Sequence, residues 1–159
     1  MGLQEVKEYF GKFGREKDIL EFTESSSTVE LAAKAIGTTN ERIAKTMALW
    51  VDESPILILC AGDARIDNHK YKEYFKNKAK MLTPDELIEY IGHPMGGVCP
   101  FGVKSGITVY LDISLKRFDY VYPACGSGNS AIKLTISEIE EFSNYKEWID
   151  VCKLIEKQD

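Results

Sequence analysis

Two apolar stretches on either side of a four-residue polar turn limit what this chain can fold into more than any other feature. Residues 43–51 and 56–61 flank Asp52-Glu53-Ser54-Pro55. That pattern predicts a β-hairpin. In the first stretch the odd positions read Ile43, Lys45, Met47, Leu49 and Val51, and the even ones Ala44, Thr46, Ala48 and Trp50. Side chains alternate across a strand, so Lys45 falls on the more apolar face. An unpaired ammonium costs several kcal/mol to bury. Lys45 therefore needs a carboxylate, an anionic ligand or an opening to water, and snorkelling along its aliphatic stem meets the pattern equally well.

A second unusual segment is the glycine-bounded loop Gly96-Gly97-Val98-Cys99-Pro100-Phe101-Gly102. Adjacent glycines allow backbone angles closed to other residues and let other atoms approach the main chain. Pro100 fixes its own φ and biases Cys99 toward an extended conformation. Such a stiff loop presents bare amides and carbonyls. It serves either as a helix-to-strand connection or, with Lys45, as part of a site for an anionic ligand.

At 159 residues, with 44% hydrophobic and 28% charged side chains, the chain fits one domain, residues 1–159, with a substantial core. A formal net charge of −5 argues against non-specific coating of nucleic acid and against an anionic membrane surface, while leaving room for a local phosphate contact. Cys60, Cys99, Cys125 and Cys152 form no Cys-x-x-Cys pair, and His69 and His93 do not complete a zinc set beside them. Reduced thiols, no metal and no cofactor are expected. The N-terminus lacks the apolar core of a signal peptide, and no apolar run approaches the roughly 20 residues that span a bilayer. A cytoplasmic location without a membrane partner follows as an expectation.

Along the chain, a first amphipathic helix is predicted over residues 3–13 and a short strand over 19–22. A helix capped by Ser27 and Glu30 then runs to Gly37. Residues 67–78 read as a charged helix, on which Tyr71, Tyr74 and Phe75 are placed to pack on the sheet. Thr83-Pro84-Asp85-Glu86 opens another helix that ends at Gly92. Strands are expected over 106–112, 120–123 and 130–134, the last two flanking the turn Cys125-Gly126-Ser127-Gly128-Asn129, before a helix capped by Thr135 and Glu138. Cys152 is assigned to a C-terminal helix and, like Cys60, to the role of a small buried hydrophobe. Asp63, Arg65 and Asp67 read as a turn with a local ion pair. The fold class is α+β: one domain with a mixed, mostly antiparallel sheet flanked by helices.

An ordered set of segments carries a family resemblance: residues 29–37, Arg42-Ile43-Ala44-Lys45-Thr46, Gly62-Asp63-Ala64-Arg65-Ile66-Asp67, the loop 96–102 and the turn Gly126-Ser127-Gly128-Asn129. In this order they resemble the YbaK and prolyl-tRNA synthetase-associated domain family over most of the chain. The resemblance implies a trans-editing hydrolase, an aminoacyl-tRNA deacylase that removes a wrong small amino acid from the 3′ end of transfer RNA, proline transfer RNA in particular. Prolyl-tRNA synthetase is the implied protein partner. It also implies that Lys45 is the family's lysine and that Gly96 through Pro100 is its Gly-x-x-x-Pro element. The expected site is then Lys45, Gly96 and Pro100 for catalysis, with Gly97, Val98, Cys99, Phe101, Gly126, Ser127 and Gly128 for substrate binding. Cys99 stands where many relatives have a small hydroxyl residue, which bears on the polarity of the pocket.

Two other readings fit the same residues. Cys99 near His93 invites thiolate attack on an ester. A non-catalytic module that binds an aminoacyl or nucleotide group beside a synthetase would also use Lys45 and the glycine loop. The turn 126–129 serves equally as a tight strand connection, because glycine and asparagine supply positive φ.

Overall fold

The computed structural model describes residues 2–155. In chain order the elements are α1 (Leu3–Gly11), β1 (Leu20–Glu21), α2 (Val29–Ile36), β2 (Ile43–Val51), β3 (Ser54–Ala61), β4 (Ala64–Ile66), α3 (Asn68–Phe75) and α4 (Pro84–Glu86). They continue with β5 (Thr108–Asp112), β6 (Tyr120–Pro123), β7 (Ser130–Ala131), β8 (Leu134–Thr135), α5 (Ile136–Ser143), β9 (Glu147–Ile149) and β10 (Cys152–Leu154).

The hairpin predicted from the two apolar stretches is the centre of the molecule. β2 and β3 pair antiparallel from Ala44 opposite Ala61 to Val51 opposite Ser54. The main sheet has the order β8-β6-β2-β3-β5-β9. Its contacts β2–β6, β3–β5 and β5–β9 are parallel, while β6–β8 is antiparallel like the hairpin. Two small antiparallel pairs, β1–β7 and β4–β10, complete the mixed α+β architecture. β3 lies between β2 and β5, and from Ile56 to Ala61 no side chain is more than 4% exposed. A strand covered on both faces needs an unbroken apolar run rather than alternation.

Helix ends follow local chemistry. Thr83 and Thr135 each form a capping box, with Glu86 and Glu138 respectively. Each such cap contributes about 1 kcal/mol. After α4 the chain widens into a π turn over Leu87–Ile91 and stops at Gly92. The cap of α2 differs from the predicted one: Thr28 Oγ1 accepts the Leu31 N–H at 3.2 Å, so the frame begins one residue after Ser27 and no box forms with Glu30.

Three further expectations are corrected. Cys152 lies in β10, paired with Ile66 of β4, rather than in a helix. This segment is tied by long-range bonds: the buried Asp112 carboxylate accepts the Val151 N–H at 3.0 Å, and a local window cannot register that partner. The strand expected over 130–134 splits into β7, which pairs with β1, and β8, which pairs with β6. Asp63 makes a bidentate pair with Arg117 at 2.6 and 3.0 Å instead of engaging Arg65, and Asp67 caps α3.

Around the sheet, Phe10 of α1 packs against Phe101 at 4.9 Å between ring centroids and against Phe142 of α5 at 5.4 Å. The glycine-rich loop is thereby pinned to the core through Phe101. Phe75 of α3 packs edge-on against Tyr110 at 5.2 Å, as its helical spacing predicts. No helix among the described residues is long and apolar enough to cross a membrane.

Candidate functional site

A cavity of about 360 Å³ opens between α2, the first half of β2 and the glycine-rich loop. Its walls take some side chains from each of the segments 26–32, 43–48, 81–87, 95–98 and 122–131. Ala32, Ala44, Ala48, Val98, Ala124 and Ala131 make much of the lining small and apolar. Among the described residues Lys45 is the only charged side chain in that lining. It is half-buried, third in β2 and opposite Cys60 in register, so it sits within the sheet rather than at a free strand end. Among the described residues it has no hydrogen-bond or ion-pair partner. The hollow itself is the opening that the lysine requires.

Past Lys45 the alternation holds, with Met47 and Val51 packed against the main core cluster and Trp50 against a second one. Leu49 joins the main core cluster, whereas Ala48 joins the second cluster with Leu57, Leu82, Leu87 and Ile91. Both faces of β2 are covered, and the cavity occupies the gap left toward α2.

Gly96 and Val98 line the same cavity as Lys45. Their main-chain N–H groups have no partner among the described residues. Gly97 is placed behind them: its N–H donates to the Pro94 carbonyl at 3.0 Å, and its carbonyl accepts the Gly126 N–H at 2.9 Å. A Cβ at Gly97 would lie 2.4 Å from the Ser127 nitrogen. The glycine pair thus permits two segments of this chain to touch, and the close approach expected of a ligand is taken at Gly97 by the chain's own turn.

Gly126, Ser127 and Gly128 do not line the cavity. They support it: the Gly128 carbonyl accepts the Ser26 N–H at 2.7 Å, and the Ser127 hydroxyl lies 2.6 Å from that of Ser130. Ser26 and Ser130 are lining residues. Pro100 is buried outside the lining, where it stiffens the loop beyond Val98.

Cys99 and Phe101 are both fully buried and likewise lie outside the lining. The thiol of Cys99 is 3.6 Å from His93 Nε2, which is itself 2.6 Å from the Phe101 carbonyl oxygen. A carbonyl can only accept, so Nε2 carries the proton and cannot serve as a base toward sulfur. Burial holds the imidazole below its ordinary pKa and pushes the Cys99 thiol up to about 12. The cysteine and histidine suspected from the sequence do meet, but as a neutral pair inside the core. A rise of this size lowers the thiolate share roughly a thousandfold. Iodoacetamide at neutral pH should therefore alkylate Cys99 in the folded protein far more slowly than in urea, as read by peptide mapping. Rapid alkylation of the folded form would contradict this placement.

Sequence reasoning missed most of the cavity wall: Ser26, Thr28, Met81, Met95, Tyr122 and Ser130 carry no local signal that they converge. The Ser25-Ser26-Ser27 run before α2 was the one available hint.

Lys45 and the glycine-rich loop thus border one small, largely apolar hollow. Residues 23–142 match the sequence profile of the aminoacyl-tRNA editing domain, and the chain belongs to that family. Its similarity to the uncharacterized protein YwhH of Bacillus subtilis (strain 168) is 53% identity over 154 residues, covering 96% of this chain and 98% of that one. The proline–tRNA ligase of Geobacillus sp. (strain WCH70) is 27% identical over 66% of this chain, a match that spans 18% of the ligase. Two solved structures share the fold: a candidate trans-editing enzyme for prolyl tRNA synthetase, with TM-score 0.85, 24% identity and coverage of 95% and 96% of the two chains, and the hypothetical protein APE2540, with TM-score 0.81, 24% identity and coverage of 94% and 99%.

Proposed function

We propose that this protein hydrolyses the ester joining a wrong small amino acid to the 3′ end of a transfer RNA, with proline transfer RNA as the principal carrier. The observation that carries the reading is that Lys45 and Gly96 line one cavity. Membership of the editing family and similarity to part of proline–tRNA ligases support it.

The chemistry suits the lining. An aminoacyl ester is already activated, so catalysis requires an oriented water, stabilisation of the carbonyl oxyanion and binding energy from the rest of the substrate. The unpartnered N–H groups of Gly96 and Val98 suit the second task, and the Lys45 ammonium suits the polar backbone of the terminal nucleotide. Among the described residues no carboxylate, histidine or cysteine lines the cavity. The proton carrier is then water or the neighbouring hydroxyl of the substrate's own ribose.

A volume of about 360 Å³ is near the small end of ligand pockets and takes an aminoacyl group on its sugar with little to spare. Selection by size is what a second sieve needs, because one methylene gives a synthetase only about 1–3 kcal/mol of discrimination. The test is a panel of transfer RNAs, proline and alanine acceptors included, each charged with alanine, cysteine, serine, threonine or proline and assayed for release of free amino acid. Catalytic release of a small amino acid from proline transfer RNA, with prolyl ester spared, is expected. Saturable binding without turnover would replace the enzyme with a binding module.

A further inference from the structure

We infer that Met81 and Met95 form a thioether clamp for the terminal base of the RNA, on the assumption that the deacylase reading above holds. Among the described residues these are the two most exposed large apolar side chains, at 54% and 63%. Both line the cavity that holds Lys45. The other lining residues classed as exposed are Ser27 and Thr28, so these four side chains mark the mouth.

Their backbones are fixed although their side chains are free. Met81 forms a bridge with Leu49 of β2, and its neighbours are tied in by the bonds Trp50 N–H to Lys80 carbonyl and Leu82 N–H to Ala48 carbonyl, at 2.8 and 3.0 Å. Met95 lies in the turn closed by the Gly97 N–H on the Pro94 carbonyl. Two long, unbranched, polarisable side chains are thus held at the rim with their apolar surface in water.

The order of groups along an aminoacyl-nucleoside selects the occupant. With the amino-acid side chain against the alanine-rich wall and the ester near Gly96 and Lys45, the sugar comes next outward and the base reaches the rim. A flat purine face suits methionine, because thioether sulfur contacts aromatic rings favourably and the flexible stem adapts to them. Stacked bases also tolerate any sequence behind them. Every transfer RNA ends in the same nucleoside, so this clamp adds affinity without choosing among transfer RNAs.

Two measurements test the clamp. In the first, Met81→Ser, Met95→Ser and the double variant are compared with the parent on an aminoacylated acceptor-stem hairpin and on an amino-acid ethyl ester that lacks a base. The double variant should raise KM for the hairpin about tenfold with kcat within about twofold, and leave the ethyl ester unaffected. An unmoved hairpin KM, or an equal loss on both substrates, overturns the clamp.

The second measurement does not depend on turnover. With methyl-labelled methionine, the Met81 and Met95 signals should move when an amide-linked aminoacyl hairpin ending in adenosine is added, and stay in place when the terminal sugar is abasic. Stationary signals with both hairpins overturn the clamp. So do signals that move with protein concentration alone, which would assign the mouth to a second copy of the chain. A parent that binds the hairpin and shifts both methyls but releases no amino acid refutes the deacylase reading and leaves the base contact standing.

Discussion

Replacing Lys45 by alanine should lower kcat/KM on the preferred mischarged transfer RNA about a hundredfold, while the protein stays folded. The size follows from removing one electrostatic group from the reaction site, which typically costs two to three orders of magnitude. Retention of the fold follows because Lys45 has no hydrogen bond or ion pair to lose among the described residues. Lys45→Met separates charge from bulk, since it keeps an unbranched stem and drops the ammonium. Both variants should lose activity alike. Parent-like turnover by folded Lys45→Ala would remove the lysine from the reaction, and rescue by methionine would show that only its stem matters.

Gly97→Ala should be a strongly damaging single-methyl change beside the site. The added Cβ would stand 2.4 Å from the Ser127 nitrogen, 2.6 Å from the Gly126 carbonyl carbon and 2.7 Å from the Ser127 Cα. All three are backbone atoms, and they have little room to retreat. Gly126 is bonded to the Gly97 carbonyl, has a φ of 89°, and is backed by Gly2, whose carbonyl carbon lies 2.5 Å from where a Gly126 Cβ would be. Overpacking of this kind costs roughly 1–3 kcal/mol and occasionally more. For a chain of this length each kcal/mol lowers Tm by roughly 2–4 °C. Thermal unfolding should show a loss of several degrees, and deacylation should fall further than stability alone explains because Gly96 and Val98 move with the loop. An unchanged Tm would show that the two turns are not locked together.

The parts of this molecule that were legible in its sequence are those decided by neighbours along the chain. The hairpin announced itself through two apolar runs and a turn, and the boxes at Thr83 and Thr135 through residues three apart. Lys45 stood out because its charge contradicts the strand around it. What escaped was decided by distant partners. Thr28 and Ser27 offer the same cap chemistry, and only the packing of α2 selects between them. The strand at Cys152 exists because Asp112 and β4 bind it across the fold. Cys99 and Phe101 looked like ligand contacts because they occupy the glycine-rich loop; Phe101 instead packs on Tyr9 and Phe10 of α1, and Cys99 is buried beside it. The glycines were read correctly as positions of close approach, but the body approaching Gly97 is the turn at Gly126.

The composition of the cavity wall has a chemical consequence for everything else in a cell that carries an acyl bond. Among the described residues no carboxylate, histidine or cysteine lines the hollow, so it gives little help to a departing amine. Amide linkages need that help, because an amine is expelled only once protonated, whereas a sugar oxygen departs far more readily. With ester cleavage as proposed above, a hollow of this composition spares surrounding polypeptides. Under the proposed reaction, that restraint lies in the ester bond itself.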